Sequence, residues 1–125
     1  MKPFRNHVAI AVDGGGIRGV IVARALAILE EHLGQSSHEL FRLAAGTSTG
    51  SIISACVGAG LNGTEMHRLY CELGETVFRQ TFRARLWPLT RYRYPHGPLE
   101  AALKQLIGEM TMGDFWSADP PTDVV

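Results

Sequence analysis

Two short glycine-rich stretches hold the residues best suited to chemistry. Gly46-Thr47-Ser48-Thr49-Gly50 sets a serine between two glycines with one residue on either side. That is the pattern of a nucleophile elbow, in which a serine at a sharp strand-to-helix turn projects its hydroxyl from the sheet edge. The flanking glycines are required because any Cβ there would strike the adjacent chain. The N-terminus of the following helix favours negative charge developing on a substrate carbonyl. A tight turn with Ser48 merely capping a helix would use the same residues.

The second stretch is Asp13-Gly14-Gly15-Gly16-Ile17-Arg18-Gly19. Three consecutive glycines between a strand and a helix expose backbone N–H groups that can converge on an anion. Gly14, Gly16 and Gly19 also satisfy the dinucleotide pattern G-x-G-x-x-G, so a nucleotide-binding α/β module is an alternative. Three features weigh against it. A ribose-binding acid should end a second strand about 20 residues on, whereas Glu39 precedes the next apolar run. Arg18 inside the loop is unusual for that fingerprint. An elbow also follows the next apolar run, where that acid would be needed. A glycine turn without ligand remains the plainest alternative, but an oxyanion hole beside Ser48 uses both stretches at once.

The elements that must position these motifs are legible. Val8 to Val12 is a short apolar run stopping at the glycines, as in a strand buried on both faces of a parallel sheet. Val20 to Leu33 reads as a largely buried helix that Gly34 ends. Leu40 to Ala45, with Arg42 inside it, leads into Gly46, and Ser48 to Leu61 follows as a second buried helix. Strand, glycine turn and helix thus occur twice, which is α/β architecture. Thr64 is the expected cap of a further helix whose stripe runs through Met66, Leu69, Tyr70, Leu73, Val77 and Phe78, with Glu75 and Arg79 paired on its wet face. Gly97-Pro98 opens another helix, carrying Leu99, Ala102, Leu103, Leu106 and Ile107 on one face, which Gly108 ends. Thr122 to Val125 reads as the opening of another buried strand. The expectation is therefore an incomplete domain, part of a longer fold.

Composition narrows the function classes. The 125 residues are 46% apolar and 19% charged, an ordinary globular balance. Twelve basic against 12 acidic side chains give zero formal charge, which argues against a nucleic-acid partner. Cys56 and Cys71 make neither a disulfide scaffold nor a zinc spacing, and a reducing compartment follows. No apolar stretch reaches the roughly 18 residues of a membrane span, nor is there a signal-peptide core. A soluble, cytoplasmic protein is expected.

Together the two glycine stretches resemble the patatin-like phospholipases, serine lipid acyl hydrolases with an α/β fold. That family pairs a D-G-G-G-x-R-G loop with a G-x-S-x-G elbow shortly downstream, and Asp13 to Gly19 and Gly46 to Gly50 match in order and separation. Tyr94, Pro98-Leu99-Glu100, Leu103, Gly108 and Thr111-Met112-Gly113-Asp114 are similar to the family's helix and turn after the elbow. The resemblance spans Val8 to Val125 and makes residues 1–125 the N-terminal portion of a patatin-like domain, a three-layer sandwich around a mostly parallel sheet. It implies that Ser48 is the nucleophile and that the Gly15, Gly16 and Arg18 backbones are oxyanion donors. It gives Asp13 a structural role, its side chain holding the glycine loop through backbone N–H groups. A phospholipid or other glycerolipid substrate is implied, with no metal or organic cofactor. The family's base is an aspartate of a downstream D-G-[GA] motif. Of Asp13, Asp114, Asp119 and Asp123, only Asp13 precedes a glycine, and it belongs to the other motif. The base is thus expected outside these residues, and a non-catalytic regulatory fragment is a further alternative.

The remaining candidates are weaker. His7, His32, His38, His67 and His96 occupy no recognisable base motif and read as ordinary side chains. Cys56 and Cys71 read as inert core thiols. From Arg79 to Tyr94, five arginines are interleaved with Phe82, Trp87, Tyr92 and Tyr94. That stretch suits peripheral contact with anionic lipid headgroups, or else a solvated loop paired with the acids of Glu100 to Asp123.

Overall fold

The computed structural model describes residues 7–76 and 96–125. Val77, Phe78, the Glu75–Arg79 pair and the Arg79 to Tyr94 stretch therefore lie outside, or end outside, the described residues. Three parallel strands form one sheet in the order β1 (Val8–Val12), β2 (Phe41–Gly46), β3 (Asp123–Val124). Val12 registers with Gly46 on one side, and Ala44 with Val124 on the other. The run Thr122 to Val125 thus holds a third strand of the α/β fold at Asp123–Val124, but not a buried one, since Asp123 and Val125 are exposed at the edge of the described sheet. The Gly46 N–H donates to the Val125 carbonyl at 2.8 Å just beyond its end.

The helices α1 (Gly19–Leu33), α2 (Ser37–Leu40), α3 (Thr49–Gly58), α4 (Gly63–Thr76), α5 (His96–Ile107) and α6 (Met112–Trp116) connect and cover the strands. Helix α1 ends where Gly34 turns left-handed at φ +66° and returns its N–H to the Glu30 carbonyl. Glu30 then ties three helices together, accepting from Ser37 N–H and Gly63 N–H at 2.7 Å each. Helix α4 is capped by Asn62 rather than Thr64. Asn62 accepts from Glu65 N–H and Glu65 from Asn62 N–H, both at 2.9 Å, a reciprocal box that Thr64, one residue into the helix, has no means of making. Gly63 lies so close to α1 that a Cβ there would fall on the Ala27 backbone.

One core joins these parts. Val12 and Ala44 from the sheet meet Ala23 and Leu26 of α1, Ile52, Ile53, Cys56 and Val57 of α3, and Met66, Leu69, Tyr70 and Leu73 of α4. The α4 stripe is completely enclosed, at 0–1% exposure for all four residues. Two expectations need correction. Strand β1 is not buried on both faces: Val8, Ile10 and Val12 turn toward the helices, while Ala9, Ala11 and their neighbour Leu43 are exposed. Among the described residues, the helices cover one face of this part of the sheet. Nor is α1 largely buried, because Ile21, Ile28 and Leu29 lie on its outward side, at 67%, 42% and 37% exposure. No helix among the described residues is long and apolar enough to cross a membrane.

Candidate active site

Parallel strands bring β1 and β2 to the same edge, so the loops that leave Val12 and Gly46 must meet. Ser48 stands there at φ +53°, ψ −124°, the one non-glycine residue with positive φ among the described residues. It is solvent-exposed and immediately precedes α3. This backbone is strained for a residue with a Cβ, and the packing explains why the chain holds it. A Cβ at Gly46 would fall on the Gly50 carbonyl, and one at Gly50 on the Val12 carbonyl. The turn closes through the Gly50 N–H donating to the Thr47 carbonyl at 2.8 Å, while Thr47 N–H donates to Val12 at 3.2 Å.

The glycine loop is stapled to this turn. Gly14 N–H donates to Thr47 Oγ1 at 3.1 Å and Gly15 N–H to Thr49 Oγ1 at 3.2 Å. A Cβ on Gly14 would lie 2.8 Å from the Ser48 Cβ. Asp13 does not hold the loop in the expected way, since these two N–H groups go to the threonine hydroxyls instead. Gly16, at φ +59°, starts a short 3-10 turn (Gly16–Arg18) that runs directly into α1. Arg18 folds back, its N–H and its Nε both donating to the Gly15 carbonyl at 3.2 and 3.3 Å. Of the three expected oxyanion donors, Gly15 thus has its N–H engaged by the elbow and Arg18 by the loop itself. The N–H groups of Gly16 and Thr49 make no hydrogen bond among the described residues.

Thr47 and Thr49 are the residues whose role sequence reasoning missed. Their signal was available, since hydroxyls on both sides of Ser48 face a loop rich in unpaired N–H groups. Spacing places Tyr70 on the apolar stripe of α4, yet its hydroxyl donates to the Thr49 carbonyl, and burial pushes its ionisation well above the usual phenol range.

The other candidates lie elsewhere. His32 Nδ1 contacts the Ile28 carbonyl at 2.9 Å and His38 Nδ1 the Val57 carbonyl at 3.0 Å. His7 precedes β1 and His67 is half-buried on α4. Cys56 is fully buried, with desolvation foremost and the Glu65 charge second raising its pKa to about 12. Cys71 is exposed rather than in the core, because it lies off the α4 stripe. Asp123 registers with Leu43, upstream of the elbow on β2. Asp114 forms a capping box with Thr111, and those hydrogen bonds hold its carboxyl below the usual range. Among the described residues, no three His, Cys, Asp or Glu side chains cluster as metal ligands.

The sequence pattern of the Patatin-like phospholipase family matches residues 10–122, which includes both glycine motifs, the whole of β2 and most of β1. The chain belongs to this family. Among curated relatives of this patatin-like chain, Patatin-like protein 1 of Oryza sativa subsp. indica is 34% identical over 90% of the chain and 31% of its own length. The 85/88 kDa calcium-independent phospholipase A2 of Rattus norvegicus is 31% identical over 88% of the chain and 12% of its own length. An intracellular phospholipase A2 of Caenorhabditis elegans is 44% identical over 55% of the chain and 6% of its own length. The patatin-like chain therefore spans less than a third of each of these relatives.

Proposed function

We propose that this protein is a serine lipid acyl hydrolase of phospholipase A type, acting on ester bonds of membrane glycerolipids. The observation that carries the reading is Ser48, held exposed in a strained turn with the glycine loop fastened to the residues on either side of it. Ser48 Oγ attacks the ester carbonyl as its proton passes to a base. The oxygen of the tetrahedral intermediate is then stabilised by backbone N–H groups, and the alcohol leaves with a proton. Water attacks the acyl-serine and releases the fatty acid. The free N–H groups favour Gly16 as the first oxyanion donor, with Thr49 beside it. Gly15 can join only by leaving Thr49 Oγ1, and the Arg18 N–H only by leaving the Gly15 carbonyl.

The base in this reading is an aspartate outside residues 1–125. Asp114 and Asp123 are supported in that exclusion by their positions, one in a helix cap and the other upstream along the sheet. The names of the relatives, phospholipases A2 and a patatin-like protein, agree with a glycerolipid substrate. The Arg79 to Tyr94 stretch is proposed to make peripheral contact with anionic membranes, and the protein to work in the cytoplasm. The test is fluorophosphonate labelling with hydrolysis of a phospholipid ester by a wild-type protein that includes this aspartate and by its Ser48→Ala variant, residues 1–125 alone being expected to show at most trace hydrolysis. Loss of both in a variant with an unchanged melt is expected. Wild-type turnover by Ser48→Ala would sink the reading.

A further inference from the structure

We propose that Tyr70 is a positioning residue for this site, setting the elbow and the glycine loop against each other from behind; the inference rests on Ser48 being the nucleophile. Tyr70 is fully buried on an α4 stripe whose other enclosed members, Met66, Leu69 and Leu73, are apolar. Its ring could be replaced there by any apolar side chain of similar size, so the hydroxyl calls for its own explanation.

The hydroxyl donates to the Thr49 carbonyl. That carbonyl and the Gly50 N–H form one peptide unit, and the Gly50 N–H closes the turn around Ser48 by donating to Thr47 at 2.8 Å. A hydrogen bond accepted at one end of a peptide strengthens the bond donated at the other. Tyr70 thereby fixes the plane of the peptide that encloses the nucleophile. The same ring lies against Gly19, where the glycine loop becomes α1: a Cβ there would stand 2.7 Å from the Tyr70 hydroxyl oxygen and collide with the ring. Thr49 Oγ1 completes the link by accepting from Gly15. One side chain thus touches the last glycine of the loop and the residue after Ser48.

The experiment compares wild type, Tyr70→Phe and Leu73→Ala in thermal melts, in the rate of fluorophosphonate labelling at Ser48, and in kcat and KM on a soluble ester. Tyr70→Phe keeps the ring on Gly19 and removes only the hydrogen bond. It should lower the labelling rate and kcat about tenfold or more, the scale expected of a slight misplacement of reacting groups, with KM within about twofold. Leu73→Ala, buried on the same stripe, should lower the melt more and the per-molecule kcat less. If Tyr70→Phe keeps wild-type labelling and kcat, or follows Leu73→Ala in losing only stability, the inference is overturned. If Tyr70→Phe fails to fold, 3-fluorotyrosine at position 70, which keeps the ring but alters the donor strength, decides instead. A labelling rate changed by about twofold or more supports the role, and an unchanged one overturns it. A wild type that does not label at Ser48 removes the nucleophile reading and this inference with it. A labelling wild type matched by Tyr70→Phe removes this inference alone.

Discussion

Replacing Ser48 by glycine should make the protein more stable while abolishing its chemistry. At φ +53°, ψ −124°, the Ser48 backbone lies where a Cβ is penalised, a strain of about 1–3 kcal/mol. Glycine removes that penalty but adds unfolded-state freedom, worth about 0.5–1 kcal/mol in the opposite direction. The loss of side-chain packing is small, because Ser48 is exposed. The balance lies between about 0 and 2.5 kcal/mol, a gain of about 1 kcal/mol at the middle of the two ranges. Unfolding entropy of about 2.1 cal/mol/K per residue, taken over 125 residues, converts each kcal/mol into about 4 °C. Ser48→Ala is the control, since it removes the same hydroxyl and keeps the Cβ and its strain. Urea titrations and melts of the two variants, purified in parallel, measure the difference. Ser48→Gly should exceed Ser48→Ala by the amount above, and neither should label with a fluorophosphonate. A Ser48→Gly melt equal to or below that of Ser48→Ala would refute the claim that the elbow stores strain.

The other expectations can be checked with the same assays. Gly50→Ala drives a Cβ into the Val12 carbonyl and should cost about 1–3 kcal/mol or prevent folding; an unchanged urea midpoint would contradict the close approach. Thr49→Val keeps the side-chain shape but leaves the half-buried Gly15 N–H without its acceptor; it should destabilise by about 0.5–1.5 kcal/mol and slow labelling, and a fully active, equally stable variant would show that the staple is dispensable. Cys71 should react with a thiol reagent in the native protein at pH 8 while Cys56 reacts only after denaturation, since Cys56 is buried with its pKa raised to about 12; mass spectrometry of the labelled peptides distinguishes the two. The Cys56 thiol holds its proton more tightly folded than unfolded, so its contribution is complete below the model-peptide value of 9.0 and is lost as pH rises toward about 12. Urea midpoints should therefore fall across that window, with the buried Tyr70 acting in the same direction, and Cys56→Ala should reduce the slope.

The fold was legible where the pattern was local. Glycines after two apolar runs marked the sheet edge, and the α4 stripe from Met66 to Leu73 follows from spacing alone, because three- and four-residue steps return to the same helical face. What escaped was set by neighbours distant in sequence. An alanine in β1 reads as core material, yet Ala9 and Ala11 are covered only if some helix crosses their face, and apolarity cannot specify which face is crossed. The same holds for α1, whose Ile21 and Ile28 are as apolar as its buried Leu26 but point away from α3 and α4. The cap of α4 failed for a smaller reason: Asn62 and Thr64 are both good caps, and only the reciprocal bond with Glu65 separates them.

At the site the motif located the serine but not what holds it. Gly46 and Gly50 are required by contacts that any elbow implies, so their presence could be reasoned from chemistry. The glycine loop invited a donor reading for every N–H it contains, and that overcounts. A loop able to present several donors must itself be fixed, and fixing it consumes donors: Gly14 and Gly15 go to Thr47 and Thr49, and Arg18 to Gly15. The residues on either side of Ser48 thus determine which N–H groups of the two loops stay unengaged, and among the described residues Gly16 and Thr49 are those still free. Composition carries no trace of this division. It arises because parallel pairing of β1 and β2 places two loops at one sheet edge, where each supplies the hydrogen-bond partners the other lacks.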